Sequence, residues 1–407
     1  MHEPQRNLLF LNLAHGYDHF FLLIFPTAAL ALQRSWDASY GEVLALGTPA
    51  FAAFALATLP CGWLGDRWSR RHMMTTFFVG IGLASILAGL AQGPLSLAAA
   101  LAVLGLFAAI YHPVGTAMVV QLAPRAGQAL GINGVFGNMG VAAAPLITAL
   151  LIEAAGWRAA FILPGIVAIA TGLVFARIAT PALERPAAAA ARAAIAPSRP
   201  VMIRVFVVVA TTALFGGFIF HGTTIALPKL FEERLGALTT SLSHIGLLAG
   251  AVFALASFAQ IVVGRMLDRV GARRLMLLLT GLQVPCLILV AELWGWPAVF
   301  VAGATMLVVF GEIPIGAWLV GRYAAASWHS RIYGLVYVLS LGVSALVVPV
   351  IAIVHGLSGG LEVLFLMLAG SAALIFAAAW LLPRHRAATP ATGRTREGTE
   401  DMAARVS

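Results

Sequence analysis

The chain has 407 residues, of which 61% are hydrophobic and only 10% are charged, and its formal net charge is +9. A soluble domain usually has about 25% charged and about 45–50% apolar residues, so this composition excludes a soluble enzyme, a secreted disulfide scaffold and a disordered protein. A membrane-spanning helix needs about 20 apolar residues, and the apolar content of this chain fills roughly twelve such helices.

Apolar runs predict twelve membrane helices joined by mostly short connections. In chain order the predicted helices cover residues 8–33, 42–64, 72–92, 95–121, 128–152, 157–178, 203–230, 241–264, 273–294, 298–321, 331–355 and 360–382. We therefore expect an all-α membrane protein with two six-helix bundles, residues 1–178 and 203–383. A linker at 179–202, rich in Ala, Pro and Arg, joins the bundles, and a polar, disordered tail follows at 384–407.

The basic residues concentrate at one end of the predicted bundle. Of the 25 Lys and Arg residues, those at the opposite end are Arg34, Arg158, Lys229 and Arg234. Cytoplasmic loops carry such an excess, which explains the positive charge better than a nucleic-acid partner does. We expect a multi-pass protein of a bacterial-type cytoplasmic (inner) membrane, with both termini, the linker and the tail in the cytoplasm.

One loop motif occurs twice, once in each half of the chain. The segment Gly62-Trp-Leu-Gly-Asp66-Arg67-Trp-Ser-Arg70-Arg71 recurs as Gly264-Arg-Met-Leu-Asp268-Arg269-Val-Gly-Ala-Arg273-Arg274. The offset from Gly62 to Gly264 is 202 residues, and the same offset relates His19 to His221. Internal repeats of this kind are typical of secondary transporters, so the two halves are expected to be pseudo-symmetric.

The two loops resemble the signature loop of the major facilitator superfamily, and the resemblance covers nearly the whole chain. It implies the major facilitator fold, with a central cavity lined by the first, fourth, seventh and tenth helices. Asp66 can pair with Arg70 or Arg71 and so act as a conformational latch that holds the halves together at the cytoplasmic side. The predicted latch residues are Gly62, Asp66, Arg67, Arg70 and Arg71, with Gly264, Asp268, Arg269 and Arg273 in the second copy.

Ionisable residues deep in the predicted helices are few, and they all fall on those four helices. They are His15, Asp18, His19, His112, His221 and Glu312. Because an ionisable side chain at a membrane helix centre costs about 2.5–3.5 kcal/mol or more, it usually faces a cavity or a partner. We expect these six residues to line a cavity for substrate and protons.

Three interpretations of His15, Asp18 and His19 remain open, since the three share one helix face. They can form a proton-coupling site, a self-satisfied structural network, or a transition-metal site, for which His and Asp are competent ligands. The favoured interpretation has no resident metal and no cofactor. Glu312 lies two residues before Pro314 and is expected to bind a proton or a cation.

The predicted fifth helix contains Gly131, Gly140 and Pro145. This pattern is similar to the Gly- and Pro-rich motif of proton-coupled drug antiporters, in which small residues allow close helix packing. The His-x-x-Asp of the first helix resembles the fosmidomycin-resistance-type exporter branch, as do the His112-Pro113 pair and the run through Arg125, Gly127, Gly140 and Pro145.

These features predict a secondary active transporter, not an enzyme, that works by alternating access. The expected function is proton-coupled export of a small organic molecule or drug by a monomer in the lipid bilayer. One alternative is a proton-linked importer of an organic anion or a metal chelate. An alternative of a different class is a transport-inactive receptor or assembly factor on the same fold.

Overall fold

The computed structural model describes residues 3–123, 126–178, 198–323 and 329–383, and within these ranges the regular secondary structure is helical. Twelve helices in this part of the chain are long and apolar enough to cross a membrane, which confirms the predicted fold class. They are α1 Glu3–Ser35, α2 Tyr40–Arg67, α3 Arg70–Gly89, α4 Pro94–Leu122, α5 Ala126–Ala155, α6 Trp157–Ile178, α7 Arg199–Arg234, α8 Leu242–Leu267, α9 Ala272–Glu292, α10 Gly295–Tyr323, α11 His329–Ser358 and α12 Glu362–Ala379.

The helix ends differ from the predicted ones by a few residues. Helix α7 begins at Arg199, four residues before its predicted start, because Pro200 is at a position in the first turn where no backbone N–H is needed. Helix α11 continues to Ser358, three residues past its predicted end. Most of the predicted linker (179–197) and the whole predicted tail (384–407) lie outside the described residues.

Capping residues and glycines set several helix boundaries. Ser39 and Glu42 form a capping box at the start of α2, and the Ser69 and Ser241 hydroxyls accept from backbone N–H groups at the starts of α3 and α8. Gly156, with φ of 82°, separates α5 from α6 in a left-handed conformation that other residues rarely adopt.

Four of the membrane helices are interrupted. Helix α2 breaks between Ala45 and Thr48, and α8 breaks at Phe258. Helices α4 and α7 each contain a π turn, at Tyr111–Gly115 and Thr212–Gly216. Such turns are frequent at functional sites, and both of these lie on helices predicted to line the cavity.

Small residues allow the helices to approach closely. Gly140 of α5 lies against the backbone of Gly16 in α1, and Gly246 of α8 lies against the carbonyl of Pro145 in α5. Two members of the predicted helix-five motif are therefore at helix contacts, whereas the space beside Gly131 is open. A β-carbon on Gly41 would lie 2.7 Å from the Ala352 carbonyl oxygen, so α2 and α11 are also in backbone contact.

The outer surface of the bundle is apolar. Leu56, Leu95 and Leu357 are 78%, 84% and 85% exposed, and many other large apolar side chains are exposed on the same helices. A surface of this kind is suited to lipid rather than to water.

Candidate functional site

Four of the six predicted cavity residues form one group, which we call the histidine cluster: His15, Asp18, His19 and His112. The first three project from one face of α1, and His112 projects from the π turn of α4. The ring centroid of His15 lies 5.0 Å from that of His19 and 5.4 Å from that of His112. The rings of His19 and His112 are 5.6 Å apart, so the three imidazoles are mutual neighbours.

Asp18 and His112 are in direct contact at the centre of this cluster. His112 Nε2 lies 3.2 Å from Asp18 Oδ2, and the Asp18 side chain is fully buried. Both residues lie near the middle of their helices, far from either end of the bundle. A buried carboxylate beside an imidazole can share or exchange a proton, because each side chain stabilises the charged form of the other.

Asn133 of α5 positions the cluster. His15 Nδ1 donates to the Asn133 carbonyl oxygen at 2.8 Å, so in the neutral imidazole Nε2 carries the lone pair. The Tyr111 hydroxyl donates to Asn133 Oδ1 at 2.9 Å, and Asn133 Nδ2 donates to Asn12 Oδ1 at 2.9 Å. The ring of Tyr111 also stacks on His15. Asn133 thereby connects α1, α4 and α5 around the histidine cluster.

The cluster also brings together side chains that are competent transition-metal ligands. His15, His19 and His112 each place one possible ligand atom within 4.8 Å of the others. Imidazole nitrogens suit Zn²⁺, Cu²⁺, Fe²⁺ and Ni²⁺, and the carboxylate of Asp18 lies beside them.

His221 of α7 lies close enough to the histidine cluster to interact electrostatically with His19 and His112. The His221 ring contacts Phe51 of α2 and Phe220 of α7 at centroid distances of 6.5 and 5.2 Å. Phe220 lies between the two halves, 6.2 Å from His19 and 5.5 Å from Phe310.

Glu312 is buried in the C-terminal half, where its Oε2 accepts a hydrogen bond of 2.6 Å from Gln283 Nε2. Sequence reasoning missed Gln283. Its signal is an amide in an apolar run two residues before Pro285, the same spacing by which Glu312 precedes Pro314.

The contacts of the predicted latch lie within the N-terminal half. Asp66 Oδ1 is 3.1 Å from an Arg70 guanidinium nitrogen, and Arg70 also donates to Gln121 of α4 at 3.0 Å. Arg71 donates to the carbonyl of Ala176 in α6 at 2.5 Å, and the Arg67 guanidinium lies over the Trp63 ring. In this conformation the loop thus links α2, α3, α4 and α6.

The second copy of the loop is packed differently. The space beside Gly264 is open, whereas a β-carbon on Gly62 would lie 3.1 Å from Pro113 Cβ. Arg273 lies over the Trp380 ring at 5.2 Å, and Arg269 is exposed. The Asp268 side chain is outside the described part of the structure.

A charged network joins the halves where α1 and α7 end; its members are Gln33, Arg34, Lys229, Glu232, Glu233 and His355. Glu232 accepts hydrogen bonds from Arg34 at 2.6 Å and from Gln33 at 3.0 Å across the interface. Lys229 Nζ lies 2.8 Å from Glu232, and Glu233 contacts His355 Nε2 at 2.7 Å. We refer to this set as the charged network. Sequence reasoning counted its cations but missed Glu232 and Glu233, which follow Lys229 at the end of an apolar run.

A nearby contact closes the same end of the bundle. Glu153 of α5 accepts hydrogen bonds from the Ser241 hydroxyl at 3.0 Å and from the Ser243 backbone at 2.9 Å. Both serines belong to the other half. The halves are therefore joined at the end where α1 and α5 finish, opposite the end that holds the latch loop.

Comparisons with known proteins agree with this architecture. The chain is 30% identical over 159 residues to the probable actinorhodin transporter of Streptomyces coelicolor, a match covering 37% of this chain and 28% of that protein. It is 32% identical over 136 residues to the probable sulfoacetate transporter of Cupriavidus necator, covering 33% and 32% of the two chains. The matched part thus spans less than a third of these relatives.

The fold is shared over almost the full length with a solved structure. A bacterial homologue of the human lysosomal transporter Spinster, in an inward-facing and unoccupied conformation, superposes with a TM-score of 0.70 at 14% identity. The match covers 93% of this chain and 95% of that one. The family model of the Major Facilitator Superfamily matches residues 8–241 and 235–405. This multi-pass membrane protein therefore belongs to the Major Facilitator Superfamily.

Proposed function

We propose that this protein is a proton-coupled secondary transporter that exports a small organic molecule by alternating access, with Asp18 and His112 carrying the proton. The observation that carries the proposal is the 3.2 Å contact between a fully buried carboxylate and an imidazole midway along two cavity helices. Substrate and ion sites of secondary transporters lie near the membrane midplane.

The surroundings of this pair suit proton transfer. Burial in a low-dielectric interior makes a lone charge costly, so the pair is stable when its charges balance. His19 and His15 adjoin His112 and can accept a proton from it, because neutral imidazole both donates and accepts. The chain thus offers a short relay of imidazoles around Asp18.

Alternating access follows from the interfaces between the halves. The charged network and the Glu153 contacts hold one end closed. We infer that the latch loop closes the other end when these contacts break, which is the role that its resemblance to the family loop implies. From the distribution of arginines, the end with the latch loop lies in the cytoplasm, as do both termini, and the membrane is the inner membrane.

Export is supported by part of the set of relatives. One relative is the tetracenomycin C resistance and export protein of Streptomyces glaucescens, and another is the puromycin resistance protein of Streptomyces alboniger. Other relatives are a gallate transporter and a probable 4-methylmuconolactone transporter. Import of an organic anion is therefore the second candidate function. A metal chelate is the other cargo of this import candidate, because three imidazole nitrogens lie together in the histidine cluster.

The test is a paired transport assay in reconstituted vesicles, after drug-susceptibility and uptake panels have identified a substrate. Asp18→Asn removes the titrating group but keeps its size. We expect uphill transport driven by a pH gradient to be lost, while substrate-for-substrate exchange is retained. Asp37→Asn, at an exposed loop position, is the matched control and should preserve both activities.

Three outcomes would contradict the proposal. A structural network predicts that both activities fall together with protein abundance. A metal site predicts that His15→Ala and His19→Ala are as damaging as Asp18→Asn and that binding of one cation is lost. Uphill transport by Asp18→Asn would move the coupling role away from this pair, and Glu312→Gln would then be assayed in the same way.

A further inference from the structure

The C-terminal half contains a second buried carboxylate, away from the histidine cluster. Glu312 of α10 is 5% exposed, and Gln283 of α9 is fully buried. Gln283 Nε2 donates to Glu312 Oε2 at 2.6 Å and to the Val308 carbonyl oxygen at 3.4 Å. This bond uses one carboxylate oxygen and leaves the other available.

The available oxygen faces the π turn of α7. A β-carbon built on Gly216 would lie 3.6 Å from Glu312 Oε1 and 3.6 Å from the Thr212 methyl carbon. Both residues belong to the π turn Thr212–Gly216, where the regular α-helical hydrogen bonding is interrupted. Because Gly216 has no side chain, the backbone of the π turn at this residue is exposed to the Glu312 carboxylate.

Two buried oxygens of the Glu312–Gln283 pair have no hydrogen-bond donor. Among the described residues, Glu312 Oε1 and Gln283 Oε1 are buried and make no hydrogen bond. Pro314 has no N–H to offer the Phe310 carbonyl, which adds a further acceptor one turn earlier in α10. Buried polar atoms are nearly always satisfied, so this group of oxygens indicates a missing partner.

We propose that Glu312, Gln283 and the π turn of α7 bind a sodium ion. Small hard cations prefer carboxylate, amide and carbonyl oxygens, which is the donor set found here. One monovalent cation neutralises the single carboxylate, whereas a divalent ion would leave a net charge in the membrane interior.

The site is independent of the proton pair in the N-terminal half. The hydrogen bond of Glu312 goes to Gln283 in the C-terminal half, whereas Asp18 contacts His112 in the N-terminal half. The donors also differ in kind, because the cluster offers mainly imidazole nitrogens and the Glu312 site offers oxygens. Loss of one ion site should therefore leave binding at the other intact.

The experiment measures thermal unfolding of the full-length purified chain at fixed pH and ionic strength, which needs no knowledge of the substrate. NaCl is titrated against choline chloride and against KCl. We expect the unfolding midpoint to rise saturably with Na⁺, because an ion that binds only the folded state stabilises it by mass action. Direct ²²Na⁺ binding to the same sample should give one site per chain.

Matched variants assign the effect to this site. Glu312→Gln and Gln283→Leu should abolish the Na⁺ response, and Gly216→Ala should weaken it by placing a methyl group beside the carboxylate. Asp18→Asn should keep the response in full, which separates this proposal from the proton proposal.

Four results would overturn the sodium site. They are an equal response to K⁺ or choline, no ²²Na⁺ binding, a midpoint that follows pH but not Na⁺, and a full Na⁺ response in Glu312→Gln. If Glu312→Gln does not fold, ²²Na⁺ binding to Gly216→Ala is measured in its place. This change adds only ordinary van der Waals contacts, so the variant should fold. Na⁺ binding as strong as that of the unmodified protein would then overturn the site.

Discussion

Gly62 of α2 faces Pro113 of α4 so closely that a β-carbon on Gly62 would lie 3.1 Å from Pro113 Cβ. The first residue of the latch loop therefore rests against the residue that follows His112. Gly65, three residues later, lies against Val114 in the same π turn. The latch loop thus packs against the π turn that carries His112.

This contact predicts that Gly62→Ala impairs transport. The added methyl group must push α2 away from Pro113, because a proline ring cannot move aside as a flexible side chain does. Gly303→Ala is the control, since the space beside this α10 glycine is open and it belongs to no predicted site. Initial transport rates at equal abundance should fall for Gly62→Ala and stay unchanged for Gly303→Ala, and equal rates for both would contradict the packing argument.

Asp66→Asn should reduce transport at least about tenfold, or roughly 1.4 kcal/mol, while abundance stays normal. In the present conformation the Asp66 side chain is 71% exposed and pairs with Arg70, so its loss costs this state little. The effect should come from the opposite conformation, in which the latch is proposed to join the halves. Asp268→Asn should be milder, because the second loop departs from the family spacing at Ala272. Normal flux through Asp66→Asn would refute the latch role.

Glu232→Gln should open the end of the bundle that the charged network closes. Glu232 accepts from Gln33, Arg34 and Lys229, and weakening these bonds should favour opening by on the order of 1–3 kcal/mol.

The readout is the distance between spin labels at Asp37→Cys and Ser358→Cys, after Cys61 and Cys286 are replaced by serine. Glu42→Gln is the control, because the Glu42 carboxylate bonds within its own half, to Ser39. A longer distance is expected for Glu232→Gln alone, and an unchanged distance would show that the network does not hold the halves together.

Tyr111→Phe should destabilise the folded protein by about 1–3 kcal/mol, because it leaves the buried Asn133 Oδ1 without its donor. Tyr17→Phe is the control: the Tyr17 hydroxyl contacts Thr171 Oγ1, which is already bonded to the Val167 carbonyl. Thermal unfolding of the purified variants should show the larger loss for Tyr111→Phe. Equal losses would mean that Asn133 finds another partner.

The fold follows from the sequence because each membrane helix is a long apolar run, and the family follows from the repeated loop motif. The arrangement of His15, Asp18 and His19 can also be predicted from the sequence, since their spacing places them on one face of α1. Their contact with His112 cannot be predicted in this way, because it depends on the rotation of α4, which contains a π turn.

Contacts between distant segments were beyond sequence reasoning for a related reason. Arg34 and Glu232 are 198 residues apart, and only the packed halves bring them together. Glu312 is predicted to line the cavity, and its hydrogen bond with Gln283 of α9 also depends on how α10 is rotated. Helix assignment does not give helix rotation, and rotation decides which polar groups meet.

The π turn at Tyr111–Gly115 contains one residue more than a regular α-helical turn. If the π turn shifts by one residue along α4, a single backbone hydrogen bond is exchanged. The side chain of the residue that it passes then rotates by about 100° about the helix axis. His112 lies inside the turn, so such a shift carries its imidazole away from Asp18 while both ends of α4 stay in place. The contact that we propose to carry the proton can thus be broken by a local rewinding of one helix, separately from the proposed rocking of the two halves.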